Sequence, residues 1–457
     1  MNKQSFIGKK IGIWGFGVVG KSLVRYLGDV ARLTVLEKRL LTEEETLLLA
    51  HANVRLYENN QHLENFLHDN DYIIASPGID VRPYQQYRHK FIAELDLFAS
   101  HWQKPIIAVT GSVGKTTTVH ILHAILQAKG VRVAFGGNVG IGMIDLIAQQ
   151  NSVDCALLEL SSFQLESVKQ FRPNIALWTN LFANHLDRHG TMQAYFDAKY
   201  MLLQHQQEGD TIVLPFALLK EVYAKRPKSR LIVVAKERPT EQELLLLSRE
   251  SVLFFIADGY IQKMCNGIVE QCLSVESLPA LSFMENWLAV YALLDAYNKP
   301  LHHNDIAVLS LYIPEHRLQK CATRDSIDFY DDSKSTIAQA TMAAVQQLQG
   351  RPIILLLGGL SKGVDRSTLI MELRGLVKYV ICFGQEAAQL KKFCDIAGLS
   401  AAALATLEEA VHHAVQLAKP DDQVLLSPAG TSFDLFANYK ERGNRFQELV
   451  AAKIKRI

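Results

Sequence analysis

The run Thr110-Gly111-Ser112-Val113-Gly114-Lys115-Thr116-Thr117-Thr118 carries the clearest chemistry in the chain. Glycines let backbone N–H groups approach a phosphate closely, and the N-terminus of a following helix adds partial positive charge. Lys115 then reaches the outer phosphates, and the hydroxyl of Thr116 or Thr117 is available to ligate Mg2+. The usual phosphate loop has a glycine five residues before its second one. Val109 stands in that place, so this is a shortened GxxGKT loop. The bland alternative is a glycine turn before an ordinary helix, but Lys-Thr-Thr in register argues against it. Gly111, Ser112, Val113, Gly114, Lys115, Thr116 and Thr117 therefore read as an ATP site.

Further groups of this kind follow. Glu159 ends an apolar strand, Cys155–Leu158, and a carboxylate there beside a phosphate loop is where a second Mg2+ contact belongs. His185 alone reads as a loop or core histidine. Placed after Lys115 and Glu159, beyond the strand Ile175–Thr179, it reads as a site residue. Lys199, on a helix in Tyr195-Phe196-Asp197-Ala198-Lys199, reads on composition as a solvated lysine. Near the start, Gly15-Phe16-Gly17-Val18-Val19-Gly20 lies between a strand, Lys10–Trp14, and a helix, with Glu37 ending the next strand, Leu33–Leu36. That is a GxGxxG fingerprint in its proper context, suited to a dinucleotide or to the diphosphate of a nucleotide-sugar. Ser76-Pro77-Gly78 turns at the carboxyl end of the strand Asp71–Ala75, where α/β sheets bind ligands.

These residues need strands and helices in alternation to hold them, and the chain supplies three such runs. Residues 1–102 read as a Rossmann-like domain, and 103–313 as a central ATP-binding domain with a mostly parallel sheet. Residues 314–457 read as a second Rossmann-like domain. The class is α/β throughout. In the last domain the polar motifs Asp331-Asp332-Ser333-Lys334, Gly358-Gly359-Leu360-Ser361-Lys362 and Ser427-Pro428-Ala429-Gly430 all follow strands, which puts them on one ligand-facing edge. Gly136-Gly137-Asn138-Val139-Gly140 reads as another glycine turn, and no chemistry is legible in residues 210–280.

At 457 residues the chain exceeds a single core, and 49% hydrophobic with 21% charged residues describes a globular protein with large cores. Lys+Arg 48 against Asp+Glu 47 gives nucleic acid no electrostatic foothold. Six scattered cysteines with no CxxC pair suit reduced thiols in a cytoplasmic protein. No apolar run of about 20 residues suggests a membrane span. Two nucleotide-type sites in succession disfavour a simple dehydrogenase.

Together the motifs TGSVGKTTT, GGNVG, LELSSFQL, NHLDRHG, FDAK, HR, DDSKST, GGLSKGVD and SPAGTSFDLFANYKERGNRF resemble the ATP-dependent Mur ligases, most closely the branch that adds D-glutamate. The resemblance spans all three domains. It implies an amide ligase that joins D-glutamate to UDP-N-acetylmuramoyl-L-alanine through an acyl phosphate, in cytoplasmic peptidoglycan precursor synthesis, and hence in cell-wall biogenesis and division. By resemblance Lys115, His185, Lys199 and Lys334 are catalytic, with Arg317 and Asp332 completing the ATP site. Gly17, Val18, Glu37, Ser76, Pro77, Gly78, Asn138 and Ser161 match positions around the UDP substrate. Thr336, Lys362, Ser432, Phe433 and Tyr439 match positions that hold D-glutamate. Two Mg2+ sites are implied, with Thr116, Glu159, His185 and a carbamylated Lys199 as ligands, and the expected state is a monomer.

The chain departs from the family pattern at three places. Ser282-Phe283 stands where a His-Asn pair is usual, Glu37-Lys38 where Asp-Thr or Asp-Arg is frequent, and Tyr439 where Phe is common. Rival readings are a sister ligase adding another amino acid, such as L-glutamate, a folylpolyglutamate synthase, a mechanical P-loop ATPase, or a non-catalytic nucleotide-binding regulator. The absence of Asp-Asn-Pro weighs against a sister ligase that adds the third-step amino acid, and the presence of the first domain against a folylpolyglutamate synthase, while L-glutamate stays open. A mechanical ATPase has no use for a third, ligand-lined domain. A competent residue at every phosphate and metal position weighs against the regulator.

Overall fold

The structure, a computed structural model, describes residues 3–52, 54–58, 62–248, 250–279, 284–306 and 315–454. Ser282, Phe283 and the expected domain boundary at 313–314 lie outside them. The chain divides into two compact units, one of Met1–Leu181 with Gln193–Ser310, the other of Phe182–Met192 with Leu311–Ile457.

The first unit holds two sheets. Strands β1 (Lys10–Trp14), β2 (Arg32–Leu36), β3 (Arg55–Tyr57) and β4 (Tyr72–Ala75) form a parallel sheet in the order β3-β2-β1-β4. The second sheet comprises β5 (Ile106–Thr110), β6 (Val133–Gly137), β7 (Cys155–Glu159), β8 (Ile175–Trp178) and β9 (Thr211–Pro215). It continues through β10 (Arg230–Ala235), β11 (Val252–Ala257), β12 (Tyr260–Cys265) and β13 (Ile268–Ser274). Its order is β13-β12-β11-β10-β9-β8-β5-β7-β6, with only β11-β12-β13 antiparallel. Strands β5 and β7 are buried at every residue, as continuous apolar runs in a parallel sheet require. β5 lies between β8 and β7, so the loop after it opens where the strand order reverses, the usual ligand crevice of such sheets.

One hydrophobic core runs beneath both sheets, from Ile11 and Leu23 through Leu95, Leu97 and Phe98 to Met143, Leu158 and Trp178. The helix Glu94–His101 makes the join: Asp96 accepts backbone N–H bonds from Lys169, Gln170 and Phe171 at 2.8–2.9 Å.

The second unit carries β14 (Gln319–Arg324), β15 (Ile327–Asp331), β16 (Ile353–Gly358), β17 (Tyr379–Phe383), β18 (Ala401–Leu404) and β19 (Gln423–Leu426). Their order is β14-β15-β19-β16-β17-β18, parallel except for the β14–β15 hairpin. Apolar clusters cover both faces, one around Leu355 and Leu357, the other around Ile354 and Leu356, as alternation along β16 demands.

Some expectations need correction. Gly136 and Gly137 end a strand rather than forming a turn. Residues 260–274, silent to the sequence reading, form an antiparallel hairpin on the edge of the central sheet. β3, β14 and β18 were not legible, being short or lacking an apolar run. No helix among the described residues is long and apolar enough to cross a membrane.

Candidate active site

In the first unit, the chain turns from β5 through Gly111 (φ +150°) and Gly114 (φ +84°) into the helix Lys115–Ala128. Any side chain at Gly111 would collide with the Thr179 hydroxyl, and one at Gly114 with the Asn286 carboxamide, so glycine is needed at both. Asn180, which follows β8, braces the loop. Its Oδ1 accepts from the Ser112 and Val113 amides at 3.1 and 2.9 Å, and its Nδ2 donates to the Val113 carbonyl at 3.0 Å. The Thr179 hydroxyl also donates to the Val113 carbonyl, at 2.8 Å. The Ser112 and Val113 amides expected to face a phosphate are thus engaged by Asn180. The helix start remains suited to an anion, with no side-chain cap and no acidic residue in its first turn. Lys115 folds back on the loop, donating to the carbonyls of Gly111 (2.8 Å) and Ser112 (3.2 Å). Thr116 is half-buried and Thr117 buried.

Glu159 ends β7 on the adjacent strand and is 1% exposed. Its Oε1 accepts from the Asn138 carboxamide at 2.8 Å, while Oε2 is buried without a hydrogen-bond partner. A buried carboxylate oxygen left unpaired is costly, and a hard cation is one group that satisfies it. Ser161 caps the helix Ser162–Leu165 in a capping box with Gln164.

Lys199 corrects the sequence reading: it is not a solvated lysine but 1% exposed. The helix Met192–Tyr200 buries Tyr195, Phe196, Ala198, Lys199 and Tyr200 together. The Lys199 amine donates to the Gly111 carbonyl at 2.9 Å and lies 4.8 Å from the centre of the Tyr195 ring. Burial, with Lys115 nearby, pulls its pKa well below the ordinary lysine value, against the attraction of Glu159. Three or more His, Cys, Asp or Glu side chains do not gather into a metal cluster among the described residues.

A cavity of about 310 Å³ opens beside the first sheet, lined by Trp14, Gly15, Glu37, Gly78, Asp80 and Tyr84 among others. Two expected UDP-substrate positions, Glu37 and Gly78, line it. Glu37 does so with its carboxylate already engaged: Oε2 accepts from the Phe16 amide at 2.7 Å, and Oε1 from the Lys38 and Arg39 amides at 2.7 and 3.2 Å. Gly17 and Val18 begin the helix Val18–Leu27, and Val18 is exposed. Ser76 donates its hydroxyl to the Gly15 carbonyl at 3.3 Å, joining the two turns, and Pro77 follows it.

The second unit assembles the remaining candidates. Asp332 is buried, accepting from the Leu318 amide (3.1 Å) and the Ser427 hydroxyl (2.7 Å). Burial raises its pKa to about 6, partly opposed by Arg317. The Arg317 Nε is itself buried without a hydrogen-bond partner. Lys334 lies 5.4 Å above the Tyr439 ring, and its amide donates to the carbonyl of His316. Thr336 follows two residues on. Ser432 is buried, while Phe433 is 69% exposed. Lys362 sits at φ +54°, and its ammonium donates to Asn184 Oδ1 at 3.2 Å. His185, expected to belong with Lys115 and Glu159, lies in the segment Phe182–Met192 that groups with this second unit, at φ +56° before the helix Leu186–His189.

Sequence reasoning missed Asn180, Thr179 and Asn184. The signal for Asn180 was its place directly after a strand next to the loop strand, but its contacts follow only from the strand order.

The chain resembles known proteins along its length. Residues 10–85 match the MurD N-terminal domain, 109–254 the Mur ligase middle domain, and 316–430 the Mur ligase glutamate ligase domain. A UDP-N-acetylmuramoylalanine--D-glutamate ligase of Koribacter versatilis is 33% identical, with 97% of each chain covered. One of the same name from Desulfotalea psychrophila is 35% identical over 96% of this chain and 95% of its own. Among solved structures, MurF ligase of Thermotoga maritima in complex with ADP matches with a TM-score of 0.58 at 14% identity, covering 99% of this chain and 97% of that one. MurC of the same organism matches with a TM-score of 0.58 at 16% identity, over 97% and 100%. At those identities the structural likeness speaks for the fold.

Proposed function

The chain belongs to the Mur ligase family, and on that premise we propose that it joins D-glutamate to UDP-N-acetylmuramoyl-L-alanine, converting ATP to ADP and phosphate. The observation that carries the reading is the pairing of an uncapped helix start bearing Lys115 with the partnerless buried oxygen of Glu159 on the neighbouring strand.

A carboxylate is a poor acyl donor because its leaving group would be oxide. Transfer of the ATP γ-phosphoryl group to one substrate carboxylate oxygen gives an acyl phosphate and ADP. The D-glutamate amine then attacks the carbonyl carbon, loses a proton, and expels inorganic phosphate to leave the amide. Anionic groups crowd together in the first step, so cations must be fixed in advance. Lys115 exchanges the Gly111 and Ser112 carbonyls for phosphate oxygens. Arg317, Asp332 and Lys334 complete the nucleotide contacts. The Glu159 Oε2 atom and the Thr116 hydroxyl fit Mg2+, which supplies neutralisation of phosphate charge. Lys199 as an amine does not fit a metal. Its displaced pKa favours the neutral amine that adds CO2, and the resulting carbamate would supply anionic oxygens, with His185 as a further ligand.

The cavity beside the first sheet takes the uridine end of the substrate, with the Gly17-Val18 helix start and the Ser76-Pro77-Gly78 turn near its diphosphate. Asn138 and Ser161 serve the muramoyl end. Lys362, Thr336, Ser432, Phe433 and Tyr439 hold D-glutamate, with Lys362 on the side-chain carboxylate. The proposed setting is the cytoplasm, in keeping with six free thiols, and the proposed state a monomer.

The test is phosphate release with ATP, Mg2+ and UDP-N-acetylmuramoyl-L-alanine, run with D-Glu, L-Glu, meso-diaminopimelate or L-Lys. Turnover with D-Glu alone, lost in Lys115→Ala, is expected. Turnover with L-Glu only would keep the mechanism and change the substrate.

A further inference from the structure

Beneath the turn that carries Lys362 lies an ion pair, its arginine buried and its glutamate half-buried, that the chemistry above does not use. Arg366, 4% exposed, precedes the helix Ser367–Glu372. One of its terminal nitrogens donates to the Gly358 carbonyl at 2.9 Å, and the other to the Gly359 carbonyl at 3.1 Å and to Glu386 Oε2. Glu386, just beyond β17, passes the restraint on. Its Oε1 accepts from both the amide (3.1 Å) and the hydroxyl (3.3 Å) of Ser361, the residue before Lys362. Arg366 also packs against the neighbouring turn, since a Cβ at Gly430 would lie 2.9 Å from its guanidinium. The two turns are further joined by reciprocal backbone bonds between Leu360 and Thr431 at 2.9–3.0 Å.

A buried ion pair is weak evidence for stability, because desolvating the charges cancels much of their attraction. This one has a more specific task in view. The turn holds Gly359 (φ +69°), Lys362 (φ +54°) and Gly363 (φ +74°), three left-handed residues within five, one of them not glycine. A backbone of that kind keeps its shape only where its surroundings over-determine it. The pair supplies that constraint at both ends: Arg366 gathers the entering carbonyls, and Glu386 fixes the residue before the lysine.

We propose that Arg366 and Glu386 are positioning residues that hold the 358–363 turn in the shape presenting the Lys362 ammonium to the side-chain carboxylate of the incoming amino acid. The proposal rests on the reading of Lys362 given above.

The experiment measures KM for D-glutamate, ATP and UDP-N-acetylmuramoyl-L-alanine, with kcat and melting temperature, in the full chain. The variants are Arg366→Met, Arg366→Lys, Arg366→Met with Glu386→Leu, and Lys362→Ala. Arg366→Met should raise the D-glutamate KM at least tenfold and leave the UDP-substrate KM within twofold. The double variant, freed of the buried guanidinium and its half-buried partner, should recover melting temperature and keep the high KM. Should Arg366→Met fail to fold, Arg366→Lys carries the same test, since an ammonium cannot span Gly358, Gly359 and Glu386 together. A purely structural role would lower kcat through loss of active protein and leave every KM unchanged, which overturns the proposal. A raised D-glutamate KM in Lys362→Ala, with none in the Arg366 variants, overturns it while leaving Lys362 in place. No rise in any variant, or a wild type inactive with D-glutamate, overturns both.

Discussion

Replacing Glu159 by glutamine separates the proposed cation site from the fold. The side chain is 1% exposed, with Oε1 bonded to Asn138 and Oε2 partnerless. A buried acceptor without a partner costs about 1–3 kcal/mol, more when charged. Glu159→Gln keeps the oxygen that accepts from Asn138 and removes the charge, at the expense of an amide NH2 group with two donors to satisfy. Without nucleotide the variant should therefore be as stable as the wild type or about 1 kcal/mol more so. With the Mg2+ complex of ATP, taken as a single ligand, at about 100 times its Kd, the wild type should gain about 2.7 kcal/mol. In the variant the Mg2+-dependent part of that gain should vanish, and turnover should fall about 1000-fold, as when one preorganised electrostatic group is removed. Urea unfolding with a non-hydrolysable ATP analogue, with and without Mg2+, and phosphate-release rates report both quantities. A variant that keeps the Mg2+-dependent stabilisation and turns over within tenfold of wild type would refute the assignment of Oε2 to a cation.

Other expectations follow from individual contacts. Lys199→Met removes a buried amine while Lys115 still donates to the Gly111 carbonyl, so a melting temperature at or above wild type with turnover down about 1000-fold is expected. Gly111→Ala forces a side chain against Thr179 at a left-handed φ, and should cost about 1–3 kcal/mol by chemical denaturation together with most ATP-dependent turnover. Glu94, buried against the Met143–Leu146 segment, has its pKa raised to about 8 by burial. The folded protein therefore holds a proton that the unfolded chain releases near the ordinary carboxyl value. Stability from this group is full below about pH 4.5 and is lost as pH rises to about 8, by at most ~5 kcal/mol. Denaturant midpoints from pH 5 to 9 should fall in the wild type and flatten in Glu94→Gln; equal slopes in the two proteins would refute the burial argument.

The parts of the site that were legible are those where type and spacing coincide with a strand end. Lys115 after β5, Glu159 at the end of β7 and the turn after β4 each sit at such a place, because long apolar runs mark buried parallel strands. Burial of a polar group was not legible. Lys199 follows Asp197 and Ala198 in a helix that is buried on nearly every side, and nothing in that spelling separates a solvated amine from an enclosed one. Nor was the bracing of the loop by Asn180, which depends on β8 lying beside β5 although some 65 residues separate them. His185 shows the limit from another side. It follows β8 in sequence, yet its segment packs with the unit that bears Lys362, because Asn184 and Asp187 bond to that lysine's side chain and backbone. Arg366 and Glu386 lie 20 residues apart and become a pair only through the β16–β17 register.

The central claim is that a substrate carboxylate is activated by phosphoryl transfer before D-glutamate is joined to it. UDP-N-acetylmuramoyl-L-alanine labelled with 18O in its terminal carboxylate, incubated with ATP, Mg2+ and D-glutamate, tests this directly by mass spectrometry of the released phosphate and the product. Acyl-phosphate chemistry predicts one 18O delivered to phosphate for each amide formed. Amide formation with unlabelled phosphate, or labelled UDP substrate recovered unchanged while ATP is consumed, would contradict it.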